Sequence, residues 1–385
     1  MPVLGDNFEL LASVSTMRIV ISVVSDLVTD QRVHRTAITL FNKGHDVVMV
    51  GRKKKDSLEI NRPYKTVRFK LWWEKGALFY AAYNLRLFWY LLFRKTDILV
   101  SNDLDTLLPN YLISILKKST LYYDAHEYFT EVPEVVNRPQ VQKTWKLIEQ
   151  LILPKIRHMW TVNESIAKLY RDEYRIEVGV VRNVPITQKS VQIKTRKDLN
   201  LPPDIKILLF QGAGINIDRG GEEALEAMQH LDDCLLLFIG GGDVVEMLKA
   251  KAMKMSLGDR VRFIPKLPFD ELRAYTSLAD IGLSLDKDTN INYKYSLPNK
   301  IFDYIHAGLP VLSSDLTELR KIVEDYNIGM ITESHDPVRI AGKIKEMLSD
   351  EKRFDTWKEN LKLAAAELCW EKEEVKLLHI FRDSI

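Results

Sequence analysis

The stretch Ser296-Leu297-Pro298-Asn299-Lys300-Ile301-Phe302-Asp303-Tyr304-Ile305-His306-Ala307-Gly308-Leu309-Pro310-Val311-Leu312-Ser313 decides how the rest of the chain is read. Ser296 with Pro298 opens a helix, since proline lacks only an N–H that the first helical turn leaves unpaired. Gly308 closes it, because glycine takes the left-handed conformation of a helix end at no steric cost. Residues 310–313 then read as a strand. Lys300 and Asp303 fall in the first two turns, beside unpaired backbone N–H groups at the positive end of the helix dipole. A phosphate suits the helix start and Lys300, and sugar hydroxyls suit Asp303. The same two residues also suit a plain i,i+3 ion pair worth about 0.2–0.5 kcal/mol. On this fragment alone both readings stand.

Outward from this unit, short runs rich in Val, Ile and Leu alternate with helical patterns along the whole chain, the signature of parallel sheets covered on both faces. Strands are predicted at 19–24, 46–50, 66–70, 97–101, 121–123, 159–162 and 179–182, and at 207–210, 235–239, 261–264, 281–285, 311–313 and 330–332. The fold class is therefore α/β, with two Rossmann-like layers. Residues 185–204, with Gln188-Lys189-Ser190 and Pro202-Pro203, carry neither period and read as a linker. Beyond Asp350 the pattern is wholly helical to the end.

At 385 residues the chain exceeds one typical core, and two domains fit its length. A net charge of +2 exerts no general pull on nucleic acid. Two cysteines, Cys234 and Cys369, exclude a disulfide framework or a thiolate metal site and fit a reducing cytoplasm. Residues 1–16 lack the pattern of a secretory signal and read as an extension or small arm ahead of the first strand. No window supplies the roughly 18 uncharged apolar residues of a membrane span. Trp72-Trp73-Glu74-Lys75 and 87–95 do concentrate aromatic residues beside cations, which suits either a bilayer interface or a core helix.

Ligands of open parallel sheets bind beyond the carboxyl ends of the strands. There the sequence offers Ser25-Asp26, Asn102-Asp103-Leu104-Asp105, Asp124-Ala125-His126-Glu127, Gln211-Gly212-Ala213-Gly214, Gly240-Gly241-Gly242-Asp243 and Asp286-Lys287-Asp288. Gly212, Gly214, Gly220 and Gly221 with Arg219 form a loop able to approach a diphosphate, Arg219 adding fork-shaped donors. Gly240–Gly242 reads first as strand-to-helix geometry. Residues 24–29 contain no glycine, which excludes the dinucleotide fingerprint after the first strand, and neither a Walker A loop nor H-E-x-x-H occurs. His34, in Asp30-Gln31-Arg32-Val33-His34-Arg35, is expected on a solvated helix face, with Arg32 or Arg35 reaching an anion as the alternative.

Four stretches together resemble the retaining GT-B glycosyltransferases of family four: Asp30-Gln31-Arg32-Val33 with Gly44-His45-Asp46-Val47; Tyr123-Asp124-Ala125-His126-Glu127; Gly212 through Arg219-Gly220 with Gly240-Gly241-Gly242; and Ser296 through Asp303 to Val311. The resemblance spans about 17–382. It implies an N-terminal acceptor domain (17–187), a C-terminal nucleotide-sugar domain (188–365), a cleft between them, and a terminal helix (366–385) packing across both.

It further implies transfer of a hexosyl unit from a UDP- or GDP-sugar to a glycan or lipid-linked acceptor, with retention and with no cofactor or metal. The enzyme would be cytoplasmic or peripheral at the inner face of the cytoplasmic membrane, with no nucleic-acid partner. By resemblance, Arg219 and Lys300 bind the donor diphosphate with Gly212, Gly214 and Asn299; Asp303 binds ribose or sugar hydroxyls; Phe263 and Pro265 lie along the base. His126 is the catalytic histidine near the reacting face of the sugar. Asp26, Asp103 and Glu127 are the acceptor-side candidates.

Many relatives carry two glutamates with seven residues between them; here Tyr295 and Asp303 take those places, and Gly214 replaces a frequent arginine. These departures keep two other readings in play: a nucleotide-sugar-binding protein without transferase activity, and a GT-B nucleotide-sugar epimerase.

Overall fold

A computed structural model describes residues 15–187, 194–382 and 384–385. Most of the expected N-terminal extension and Gln188-Lys189-Ser190 of the expected linker lie outside the described residues. All thirteen predicted strands form. The first sheet contains β1 (Arg18–Asp26), β2 (Asp46–Arg52), β3 (Lys65–Phe69), β4 (Ile98–Asn102), β5 (Thr120–Ala125), β6 (His158–Thr161) and β7 (Gly179–Val180), in the order 3-2-1-4-5-6-7. The second contains β8 (Lys206–Gly212), β9 (Cys234–Gly240), β10 (Val261–Ile264), β11 (Ile281–Ser284), β12 (Val311–Ser314) and β13 (Gly329–Thr332), in the order 10-9-8-11-12-13. Strand order reverses between β1 and β4 and again between β8 and β11, the switch points at which open α/β sheets leave a crevice for ligands.

The chain divides into two compact units, neither continuous. One holds residues up to Asp124 with Ile148–Met159 and Leu377–Ile385; the other holds Ala125–Leu147 and Trp160–Lys376. In the second unit the period-2 alternation of a strand divides β8 between two cores. Leu208 and Phe210 pack on one face of the sheet, Ile207 and Leu209 on the other. Such continuous apolar runs are what burial on both faces demands.

In the first unit, helix α1 (Gln31–Asn42) is capped by Asp30, whose carboxylate accepts from the Val33 N–H at 3.1 Å. The solvated face expected for 30–35 is not found. Arg32 is buried and donates from Nε to both carboxylate oxygens of buried Asp124, at 3.2 and 3.0 Å, so it serves an internal ion pair instead of a ligand. Arg35 is buried as well, and His34 Nδ1 is 2.6 Å from the Tyr64 hydroxyl. Burial, aided by Arg62 and Arg35, lowers the His34 pKa to about 4.

Helix α2 (Ala77–Leu92) resolves the aromatic segment into two faces. Phe79, Tyr83, Leu87 and Leu91 form a buried stripe at four-residue spacing, while Leu78, Leu85 and Trp89 are exposed. Helix α3 (Leu107–Lys117), packed against α2, exposes Leu108, Leu112, Ile115 and Leu116.

The helical end of the chain is two helices, Glu351–Glu367 and Trp370–Phe381, broken at Leu368-Cys369. The last residues belong to the first unit, where Phe381 stacks on Tyr122 with ring centroids 4.1 Å apart and the Tyr122 hydroxyl donates to Ser384 Oγ at 2.7 Å.

Candidate functional site

The helix that opened the sequence reading spans Asn299–Ala307, with Pro298 at its N-cap and Gly308 at its C-cap (φ 68°). Its start has no side-chain cap, so its first N–H groups point outward from the helix end. Lys300 is largely buried and does not pair with Asp303. Its ammonium lies 3.2 Å from Asp286 Oδ2 and 4.6 Å from the centre of the Phe210 ring. Asp286, two residues beyond the end of β11, is fully buried. Its other oxygen accepts from Arg219 Nη1 at 2.8 Å.

Thus the loop after β8, which carries Arg219, and the loop after β11, which carries Asp286, meet at the switch point of the second sheet, with Lys300 closing the cluster. The Arg219 guanidinium also lies over the Tyr293 ring, 4.0 Å from its centre.

The electrostatics follow from this geometry. Burial alone would raise the Asp286 carboxyl, but Lys300 and Arg219 overcome it and hold the pKa below the ordinary aspartate value. Burial pulls Lys300 below the ordinary lysine value, against the attraction of Asp286 and with the help of Arg219 repulsion. For Arg219, burial is outweighed by Asp286, Tyr293 and Glu127, which raise its pKa. One buried carboxylate therefore orients two cations, each with donors to spare: Lys has three N–H donors and Arg five.

Glu127 belongs to this same neighbourhood. Buried Asn292 accepts from the Tyr128 N–H at 3.0 Å and donates to Glu127 Oε2 at 3.2 Å, fixing the segment that follows half-buried His126. Asn292 and Tyr293 sit on a short helix, Ile291–Lys294, capped by Asn290. Tyr295, in the place of the first family glutamate, uses its carbonyl to accept from Asn163 Nδ2 at 2.8 Å.

The other expected donor residues take distinct places. Asp303 Oδ2 accepts from Gln211 Nε2 at 3.0 Å, and Gln211 Oε1 in turn accepts from Thr276 at 2.8 Å; Asp303 lines a cavity with Arg273 and His306. Asn299 Oδ1 accepts from Asn183 Nδ2 at 2.9 Å. Phe263 stacks on Phe238, centroids 5.0 Å apart, so one of its faces is committed to the core, while Pro265 is exposed.

The glycines separate by what a side chain would meet. A Cβ at Gly240 would lie 1.8 Å from the Gly212 carbonyl, at Gly242 2.1 Å from that of Ile215, and at Gly220 2.2 Å from that of Leu285. These three are required by protein packing. Gly212 and Gly214 would meet nothing closer than 3.9 and 3.5 Å, which leaves their backbone approachable.

Among the acceptor-side candidates in the first unit, Asp26 accepts from the Val28 N–H at 3.2 Å and from the Ser57 hydroxyl, so it ties two loops at the end of β1. Asp103 holds φ 56°, ψ 167°, a conformation that costs a non-glycine residue about 1–3 kcal/mol. Its N–H donates to the Asp124 carbonyl at 2.9 Å.

The sequence placed Asp286 on the polar rim of the second sheet without giving it a role, and it gave no sign of Asn292 and Tyr293. The signal for Asp286 is an acid just past a fully buried strand, whereas the short helix 291–294 has too few residues to show a period.

The two sheets and their order define the GT-B glycosyltransferase architecture. Residues 191–364 match the family described as glycosyl transferases group 1. The chain is 24% identical over 198 residues to the D-inositol 3-phosphate glycosyltransferase of Xylanimonas cellulosilytica, covering 48% of this chain and 44% of that one. The chain spans about half the length of the curated relatives it matches.

Two solved structures share the fold along nearly the whole chain. Sucrose-phosphate synthase from Thermosynechococcus elongatus superposes with a TM-score of 0.80 at 18% identity, covering 96% of this chain and 99% of that one. HepE of Anabaena, in complex with UDP-glucose, gives 0.72 at 12% identity, covering 95% and 100%.

Proposed function

We propose that the chain is a metal-independent, retaining glycosyltransferase that moves a hexosyl unit from a UDP- or GDP-sugar to a glycan or lipid-linked acceptor. The convergence of Arg219 and Lys300 on Asp286 at the β8/β11 switch point carries this reading. Charge develops on the leaving diphosphate as the bond from the sugar anomeric carbon to phosphate oxygen breaks. Fixed cations and helix N–H groups aimed at that charge lower the barrier without reorganising. Gly212 and Gly214 leave room for the diphosphate to approach, and Asp303, held by Gln211, takes the ribose or sugar hydroxyls in this reading.

In a same-face route the acceptor oxygen bonds to the anomeric carbon on the side the phosphate leaves, and the acceptor proton passes to the leaving phosphate oxygen. His126 orients a sugar hydroxyl in that route, and no enzyme nucleophile is needed. Asp26 and Asp103, at the carboxyl ends of β1 and β4, remain acceptor-side candidates. A lipid-linked acceptor and a place at the inner face of the cytoplasmic membrane suit the exposed apolar faces of α2 and α3, beside exposed Arg86, Arg94, Lys95 and Lys118. Among the described residues no helix is long and apolar enough to cross a membrane.

The test is a panel of nucleotide sugars and acceptors assayed in EDTA, with products analysed by NMR. A glycoside of unchanged anomeric configuration supports the proposal. Donor binding without turnover on any acceptor, or an isomerised sugar, replaces it with a binding protein or an epimerase.

A further inference from the structure

At the carboxyl ends of β2 and β3 the first unit holds a cavity of about 430 Å³, within the size range of small-molecule sites. Arg52, Lys53, Lys54, Lys55 and Lys70 line it against a single carboxylate, Glu74. Among the described residues none of the four lysine ammonium groups is paired with a carboxylate. Arg52 donates from Nη1 to the Glu74 carbonyl at 3.2 Å and lies 4.9 Å from the Phe79 ring centre, while its buried Nε has no partner. Trp73 and Phe69 supply an apolar wall.

The cationic turn is built into the sheet. The Lys53 N–H donates to the Phe69 carbonyl at 2.9 Å, prolonging the β2–β3 ladder. The Lys54 N–H donates to Ser57 Oγ at 2.7 Å, and that hydroxyl donates to Asp26 at the end of β1. A Cβ at Gly51 would lie 2.3 Å from Leu27 Cδ2, so the last turn of β2 is pressed against the loop after β1. Solvated surface lysines ordinarily spread apart. Here they gather around one concave, aromatic-walled space and repel one another unless an anion enters.

We propose that this cavity binds a phosphate or diphosphate group carried by the acceptor, an inference that rests on the transferase reading of the chain. The lysines act as point charges on the phosphate oxygens and Arg52 as an oriented fork, while Trp73 lies against the adjoining sugar or hydrocarbon. Asp26 is then a positioning residue, holding the turn through Ser57.

The full chain is titrated by calorimetry with glucose 6-phosphate and with farnesyl diphosphate, and with glucose and farnesol as uncharged counterparts. At least one phosphorylated probe is expected to bind, more weakly at high salt, and to lose affinity about tenfold or more in K54Q/K55Q/K70Q. The K54R/K55R/K70R chain, which keeps the charge, should retain it. Preference for the first probe marks a soluble phosphosugar acceptor, and preference for the second a lipid-linked one. No binding by the wild type, equal affinity in the glutamine variant, or equal affinity for the uncharged counterparts overturns the proposal. The donor site is read separately, by the rise in melting temperature with UDP or GDP in the wild type and in Arg219→Ala.

Discussion

Arg219 and Lys300 in one unit, and the lysines around the β2–β3 cavity in the other, are cations held in opposite ways. The first two share one fully buried carboxylate, Asp286, with Lys300 largely and Arg219 partly buried and their pKa values bent by burial and by that carboxylate. The lysines are half-buried or exposed, with no carboxylate partner among the described residues. The difference teaches what each arrangement can do. A buried cation pair needs an internal anion to survive desolvation, and gains a fixed orientation from it, which is what stabilising a short-lived charge requires. Unpaired cations keep their reach and hydration, and suit recognition of a charge that a substrate already carries.

The comparison is broken most severely at Arg219 and Lys300. Arg219→Ala combined with Lys300→Ala should lower turnover by about 10²–10³-fold, measured by steady-state kinetics at a temperature where circular dichroism shows the variant folded, since buried Asp286 loses both of its cations. Unchanged turnover would remove these residues from the site.

Asp286→Ala should cost about 3 kcal/mol of stability by leaving largely buried Lys300 and partly buried Arg219 unpaired, whereas Lys54→Gln should change it by less than about 0.5 kcal/mol. Urea unfolding of the two variants measures the contrast directly, and equal midpoints would show that Asp286 does not carry the charge balance assigned to it.

A smaller effect concerns pH. The folded chain keeps His34 neutral down to about pH 4, whereas the unfolded chain takes up the proton near the ordinary histidine value of 6.5. The stability His34 contributes is therefore present above 6.5 and lost as pH falls from there toward 4. His34→Gln should unfold with less acid sensitivity across that window; an identical pH profile would contradict the burial assigned to this imidazole.

Much of the fold was legible because its signals are local. Most strands, such as β1, β8 and β9, announced themselves as apolar runs, and Pro298 with Gly308 marked the ends of the helix carrying Lys300. The pairings of charges were not legible. Arg32 meets Asp124 across 92 positions of sequence and Arg219 meets Asp286 across 67, so the periodicity around Arg32 looked like an exposed face. Asp303 illustrates the same limit, since the spacing that allowed a pair with Lys300 could not reveal that Gln211 occupies one of its oxygens. Glu127 was sought among acceptor groups, yet Asn292 holds it in the neighbourhood of Arg219, a link that depends on a four-residue helix too short to leave a pattern.

The most direct test of the donor site is a crystal structure of the chain with UDP or GDP bound. The account predicts diphosphate oxygens within hydrogen-bond reach of both Lys300 Nζ and the Arg219 guanidinium, with Asp286 still bridging the two cations. A diphosphate bound elsewhere, with both cations turned wholly toward Asp286, would contradict it.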